Sequence, residues 1–176
     1  LGKVYDVCID HERPILRPVD DEVYRVSCGE FRPLRLGRGQ APLEIPAPKK
    51  FRGNWLAVGG HIKNTIALGF SDRIIVSAHI GDLSAPKSMD LFSDTIQTLT
   101  SLYQVKLDGV VCDQHPDYGS SRWANKSKLA RVRVQHHRAH ASALWLETDQ
   151  WDNSIMFVWD GYGLGDDGSL WGAEAF

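Results

Sequence analysis

Leu129-Ala130-Arg131-Val132-Arg133-Val134-Gln135-His136-His137-Arg138-Ala139-His140 runs from an apolar, β-branched stretch straight into Ala141-Ser142-Ala143-Leu144-Trp145-Leu146-Glu147, whose spacing is helical. A strand that leads directly into a helix sets the helix N-terminus at the carboxyl edge of a sheet, where α/β proteins place their sites. In that helix His136 and His140 stand four residues apart, one turn above each other. Two imidazoles so placed suit one divalent ion, although a pair at this spacing also arises by chance and a half-buried histidine is often only hydrogen-bonded. Three of the seven histidines fall within these five positions. Asp160 closes a second apolar run, Ile155-Met156-Phe157-Val158-Trp159, and a carboxylate at that strand end completes a candidate set of metal ligands: His136, His140 and Asp160.

Working outward toward the N-terminus, Gly109-Val110-Val111-Cys112 reads as a buried strand. The loop 113–121 and a short helix join it to the histidine strand. Before it, Leu91, Phe92, Ile96, Leu99, Leu102 and Tyr103 recur at helical spacing over residues 86–104, with Ser84 as the expected cap and Pro86 in the first turn. Trp55-Leu56-Ala57-Val58, Thr65-Ile66-Ala67-Leu68 and Arg73-Ile74-Ile75-Val76-Ser77 read as three strands, the last two joined by the turn 69–72. Three strands in a meander, then helix, strand, helix, strand, helix, predict a mixed sheet covered on both faces. That order is expected for one lobe of the ribonuclease H-like, actin-like ATPase architecture. Residues 154–176 begin again with a strand, a Gly-rich turn and a strand, as a second lobe would.

Residues 1–50 differ in character. Residues 22–28 and 31–36 read as short strands, and three prolines between Ala41 and Lys50 predict an extended linker. The expected division is therefore a leading β-rich piece over 1–40, a linker over 41–53, a first lobe over 54–152 and the start of a second lobe over 153–176.

Composition bounds the function. Of 176 residues 43% are apolar and 24% charged, enough for a packed core, and a formal charge of -2 sets up no field that attracts nucleic acid. Cys8, Cys28 and Cys112 form no paired motif, so neither a disulfide framework nor a zinc finger is indicated. With no signal peptide and no long apolar run, the reading is a cytoplasmic protein without a membrane partner. The chain opens without Met, which reads as a piece of a longer protein.

Two Gly-rich turns are candidates for holding an anion. In Gly59-Gly60-His61-Ile62-Lys63-Asn64-Thr65 the glycines admit close backbone approach, and Lys63 and Asn64 supply charge and donors; an ordinary hairpin with an exposed lysine fits the same residues. The stretch 160–168, with Gly161 and Gly163 among four glycines and three carboxylates, is either a flexible loop or a phosphate or metal cradle. A hydrolytic triad through Ser120 or Ser121 lacks the nucleophile-elbow pattern and is set aside.

The same motifs, together with His79-Ile80-Gly81-Asp82-Leu83, Asp113-Gln114-His115-Pro116-Asp117-Tyr118 and Trp171-Gly172-Ala173-Glu174, resemble in order the HypF carbamoyltransferases of [NiFe]-hydrogenase maturation. His11-Glu12-Arg13-Pro14-Ile15, Asp20-Asp21 and Leu34-Arg35-Leu36-Gly37-Arg38-Gly39 resemble the tail of that family's YrdC-like domain. Val19, Leu36 and Tyr162 depart from the usual family residues, and none of the three is a proposed ligand. The resemblance implies an ATP-dependent, metal-assisted enzyme in two steps. Carbamoyl-adenylate is made from carbamoyl phosphate and ATP. The carbamoyl group then passes to the C-terminal Cys thiol of a HypE-like partner, on the way to a cyanide ligand. It also implies that His136, His140 and Asp160 hold a divalent metal, iron or zinc, and that Lys63 and Asn64 lie near nucleotide phosphates, with Gly161 and Gly163 in the phosphate turn. His137 is the candidate catalytic residue, orienting, accepting a proton or capping the helix. A further ligand is expected beyond the chain, which alone is expected to be inactive. The alternatives are a related transferase acting on a small-molecule hydroxyl or on tRNA adenosine, or a non-catalytic nucleotide-binding scaffold.

Overall fold

The computed structural model of the chain describes residue 4, residues 6–148 and residues 153–176. A hairpin of β1 (Val23–Ser27) and β2 (Glu30–Arg35) leads. The main sheet is built from β3 (Leu43–Pro46), β4 (Trp55–Ala57), β5 (Ala67–Phe70), β6 (Arg73–Val76), β7 (Gly109–Asp113) and β8 (Ala130–Val134). Its helices are α1 (Pro86–Leu102), α2 (Gly119–Lys126) and α3 (His136–Thr148). Four two-residue strands follow: β9 (Phe157–Val158), β10 (Gly163–Leu164), β11 (Leu170–Trp171) and β12 (Glu174–Ala175). They pair antiparallel as β9 with β12 and β10 with β11.

The six-stranded sheet has the order β3-β6-β5-β4-β7-β8, antiparallel from β3 to β4 and parallel from β4 to β8. This is the mixed α/β sheet of the ribonuclease H-like lobe. The alternation of a pleated strand puts Leu56, Leu68, Ile75, Val110 and Cys112 on one face, all buried with Phe92, Ile96 and Leu99 of α1. A fully buried Leu or Phe contributes about 1.5–3 kcal/mol, so this layer is the stable base of the lobe.

Four expectations are corrected by packing. The sheet is not covered equally on its two faces. Ala57, Ala67 and Val111 are half-buried and Val132 is 44% exposed, because α3 leaves a cavity of about 390 Å³ against that face. The Pro-rich segment is extended as expected, but Leu43–Pro46 is hydrogen-bonded to β6 as the sheet's edge strand, a position that tolerates proline, so this part of it is no free linker. The β5–β6 turn is Ser71-Asp72 alone, since Phe70 still pairs with Arg73, and Gly69 stays in the strand because the Phe51 ring lies where a side chain would stand. Finally, α1 starts after Ala85 without a side-chain cap, while Ser84 Oγ lies 3.2 Å from His61 Nε2. The expected boundary after residue 152 falls outside the described residues.

Candidate metal centre

Local sequence dictates how the site is held. Gln135 follows β8 and caps α3: its Oε1 accepts the Arg138 N–H at 3.0 Å, and its carbonyl accepts the Ala139 N–H. Gln135, and not His137, therefore makes the cap. The Gln135 amide also donates to His137 Nδ1 at 3.0 Å, which fixes the His137 proton on Nε2. His137 is fully buried, and its ring stands edge-on to His136, with centroids 5.9 Å apart. That placement braces the start of α3 behind the site and gives the ring no open path to a substrate.

With the helix start fixed, His136 and His140 point together, their centroids 5.0 Å apart. Asp160 Oδ2 lies 3.0 Å from His136 Nε2 and 3.4 Å from His140 Nε2. One donor atom from each of His136, His140 and Asp160 lies within 4.8 Å of the others, so two imidazole nitrogens and a carboxylate oxygen converge on one point. This donor set fits an intermediate ion such as zinc, iron or manganese. On its other side His136 Nδ1 meets Asp113 Oδ2 at 2.7 Å. Asp113 is the residue that the sequence reading missed. Its signal was present, because it directly follows the buried run Gly109–Cys112, as Asp160 follows its own strand.

The electrostatics follow. The Asp113 hydrogen bond raises the His136 imidazole above its ordinary range against the effect of burial, with the charges of Asp113 and Asp160 adding to it. Burial pushes the Asp160 carboxyl up, but the Gly161 N–H and the imidazoles of His136, His140 and His137 together hold it below the usual carboxylate range. Burial, with the charges of Asp113, Tyr162 and Asp160, raises the Tyr118 phenol. Tyr118 stacks between His115, at 4.4 Å, and His61, at 5.6 Å, beside the site.

The Gly-rich turns separate in character. Asn64 is buried, and its amide N–H groups donate to the carbonyls of Val58 at 2.8 Å and Gly60 at 2.7 Å, so the side chain shapes the turn instead of facing outward. Ser120 Oγ donates to the carbonyls of Gly59 and Gly60, and Ser121 Oγ to that of Asp113; both are structural hydroxyls. Lys63 does not join the metal set. It lines a different cavity, of about 610 Å³, together with Arg35, Thr65 and His79. In the second turn Gly161 N–H donates to Asp160 Oδ1, and a side chain at Gly161 would meet nothing within 4 Å. Gly163 packs directly on the histidines: a Cβ there would stand 2.7 Å from His136 Cβ. Arg138 reaches Asp166 at 2.8 Å, tying the turn to α3.

Residues 50–147 match a protein-family model described as the HypF Kae1-like domain. The chain is 39% identical over 175 residues to the carbamoyltransferase HypF of a Synechocystis species, a match covering 99% of this chain and 23% of the relative. It is 35% identical over 182 residues to carbamoyltransferase HypF2 of Cupriavidus necator, covering 99% of this chain and 22% of the relative. A crystal structure of full-length HypF in the phosphate- and nucleotide-bound form superposes with a TM-score of 0.90 at 34% identity, covering 99% of this chain and 28% of that one. HypF of T. kodakarensis gives 0.83 at 31% identity, covering 94% and 22%. The chain thus spans about a quarter of the length of the relatives it matches.

Proposed function

We propose, from the premise that this chain belongs to the HypF family through its Kae1-like domain, that it is the carbamoyl-transferring part of a carbamoyltransferase of [NiFe]-hydrogenase maturation. Residues 1–40 are then the tail of a YrdC-like domain that makes carbamoyl-adenylate from carbamoyl phosphate and ATP. Residues 54–152 are the first lobe of the transfer domain, and residues 153–176 begin its second. The acceptor is the C-terminal Cys thiol of a HypE-like protein, and the setting is the cytoplasm. No described helix is long and apolar enough to cross a membrane.

The observation that carries the reading is the convergence of His136, His140 and Asp160 at the carboxyl edge of the sheet. These three would hold a divalent iron or zinc ion, which when bound supplies Lewis-acid polarisation of the carbamoyl carbonyl and neutralises phosphate charge. The chain's own part is positional. Asp160 comes from a turn kept bare at Gly161, so a mixed anhydride can approach, while Gly163 lets the turn pack close on His136. Lys63 and Arg35 give the adjoining cavity positive charge for nucleotide phosphates, and Asn64 serves them by fixing the Gly59-Gly60 turn. His137 acts by holding the start of α3. In the transfer the thiolate sulfur bonds to the carbamoyl carbon and the carbon–oxygen bond to the adenylate breaks. AMP leaves with the electron pair, and the thiol proton passes to solvent.

The test is made on the full-length protein. Metal content is counted, and carbamoylation of a HypE-like partner is read as a mass shift of its C-terminal peptide, for the parent and for His140→Ala. The expected result is one metal equivalent fewer in the variant, with transfer lost. Undiminished transfer in a variant lacking that equivalent would overturn metal assistance. A metal-loaded parent that never modifies the partner thiol would overturn the acceptor.

A further inference from the structure

We infer that Asp113 is a positioning residue that fixes the tautomer of His136, so that the Nε2 lone pair is always presented to the cation. The inference rests on the metal reading above and extends it to a residue outside the ligand set. Asp113 is the last residue of β7, and its side chain is 7% exposed. Both oxygens are committed: Oδ1 accepts the His115 N–H at 2.8 Å, and Oδ2 meets His136 Nδ1 at 2.7 Å. Its backbone carbonyl is held by Ser121 Oγ at 3.1 Å. A carboxylate oxygen set against a neutral imidazole accepts its N–H, so Asp113 draws the proton to His136 Nδ1. Asp160 Oδ2 makes the same demand on Nε2 at 3.0 Å, but with a cation bound both of these atoms face the ion, and the one proton of the neutral imidazole is left on Nδ1 toward Asp113.

The arrangement is asymmetric. His140 is 55% exposed, and among the described residues no carboxylate backs its Nδ1. His136 is therefore the anchoring ligand and His140 the exchangeable one, a division that follows from which imidazole has its second nitrogen tied down.

The geometry makes one consequence specific to the substitution used. In Asp113→Asn the amide has one oxygen and one NH2 to place. The His115 backbone N–H can only donate, so it claims the oxygen, and the NH2 group is turned toward His136 Nδ1. That reverses the tautomer: Nδ1 becomes the acceptor, Nε2 takes the proton, and the lone pair meant for the cation is lost. Asp113→Ala imposes no preference and leaves the ordinary mixture of tautomers. The isosteric amide is therefore expected to do more harm than the truncation, opposite to the usual order.

The experiment uses zinc alone as the probe, competed against a chromophoric chelator, on the full-length protein. The expected loss of affinity is about 10-fold for Asp113→Ala and about 100-fold for Asp113→Asn, the span typical of residues behind a ligating histidine. A second readout needs no metal. Histidine-selective nitrogen spectra are taken at about pH 9, above the ordinary imidazole range, with Asp160→Ala as the common parent background to remove the competing acceptor at Nε2 and His136→Gln identifying the resonance. The parent should show Nδ1–H, Asp113→Asn should show Nε2–H, and Asp113→Ala should show both. Asp113→Asn binding zinc as well as or better than Asp113→Ala, or a parent in the Nε2–H form, would overturn the inference. Should the parent take up no zinc that His140→Ala lacks, the metal reading fails by itself, and the tautomer spectra still decide the role of Asp113.

Discussion

The two Gly-rich turns look alike in sequence and are opposite in construction. At Gly59-Gly60 two polar side chains are turned inward: Asn64 and Ser120 bond the carbonyls of Val58, Gly59 and Gly60, and Gly59 sits at φ 65° with a backbone carbonyl where a Cβ would go. At 160–168 the near half is bare around Gly161 and meets the histidines through the Asp160 carboxylate and through Gly163. The far half is a small self-built hairpin, in which Asp167 Oδ1 accepts from Ser169 and from the Trp171 indole, and Gly165 lies under the Trp171 ring. Glycine content alone does not separate a wall from a delivery arm. What separates them is where the neighbouring side chains spend their hydrogen bonds. The first turn is scaffold, and the second brings one carboxylate to a site built by the first lobe.

If that contrast holds, the largest effect belongs to Gly59→Ala. A side chain at that left-handed position would stand 2.3 Å from the Thr65 carbonyl oxygen, so the turn must be rebuilt at a cost of about 3 kcal/mol or more. Chemical denaturation should show the loss directly, and an unchanged midpoint would break the claim that this turn is scaffold. Asn64→Ala comes next. It removes two buried donations to backbone carbonyls and should cost about 2 kcal/mol, read in the same way. A variant that kept its stability but lost nucleotide binding would instead put Asn64 at the ligand.

The second turn should respond in function before stability. Gly163→Ala places a methyl against His136 Cβ and the His137 ring and pushes the turn that carries Asp160 away from α3. Zinc affinity of the full-length protein is expected to fall about 10-fold. The denaturation midpoint should move by less than about 1 kcal/mol in free energy, because the displaced turn lies outside the core. A larger loss of stability than of affinity would reverse the contrast between the turns.

How much of this was legible follows from which signals are local. Strand-to-helix alternation and the four-residue spacing of His136 and His140 are written into neighbouring residues, and both appear in the structure. The Ser71-Asp72 turn and the seat of Gly69 under Phe51 depend on a contact across eighteen positions, which no short window shows. Leu43–Pro46 reads as a linker because it lies in a ten-residue stretch with three prolines, Pro42, Pro46 and Pro48, but an edge strand needs only one of its two hydrogen-bonding sides. Asp113 was missed because its partner lies twenty-three residues away, across α2 and β8. Lys63 and Asn64 are neighbours in sequence and diverge in space, since Asn64 is buried under the turn while Lys63, at φ 54°, is directed to another cavity.

The smallest effect tests what keeps the second turn in place. Besides Gly163 and the Asp160 carboxylate set against His136 and His140, two contacts cross from it to the lobe: the Gln114 amide donates to the Gly165 carbonyl at a long 3.4 Å, and Arg138 pairs with Asp166 at 2.8 Å. Both ends of that ion pair are about half exposed, so removing it by Arg138→Ala should change global stability by about 0.5 kcal/mol or less. The turn itself should feel it more than the fold does. Exposed pairs are screened by salt, so amide hydrogen exchange over residues 160–168 should speed up in the parent as ionic strength rises. In Arg138→Ala it should already be fast and indifferent to salt. Exchange in the parent that ignores salt would mean that the Arg138–Asp166 pair does not hold the turn. Asp160 would then owe its place to the packing of Gly163 on His136 and to its own contacts with the two histidines.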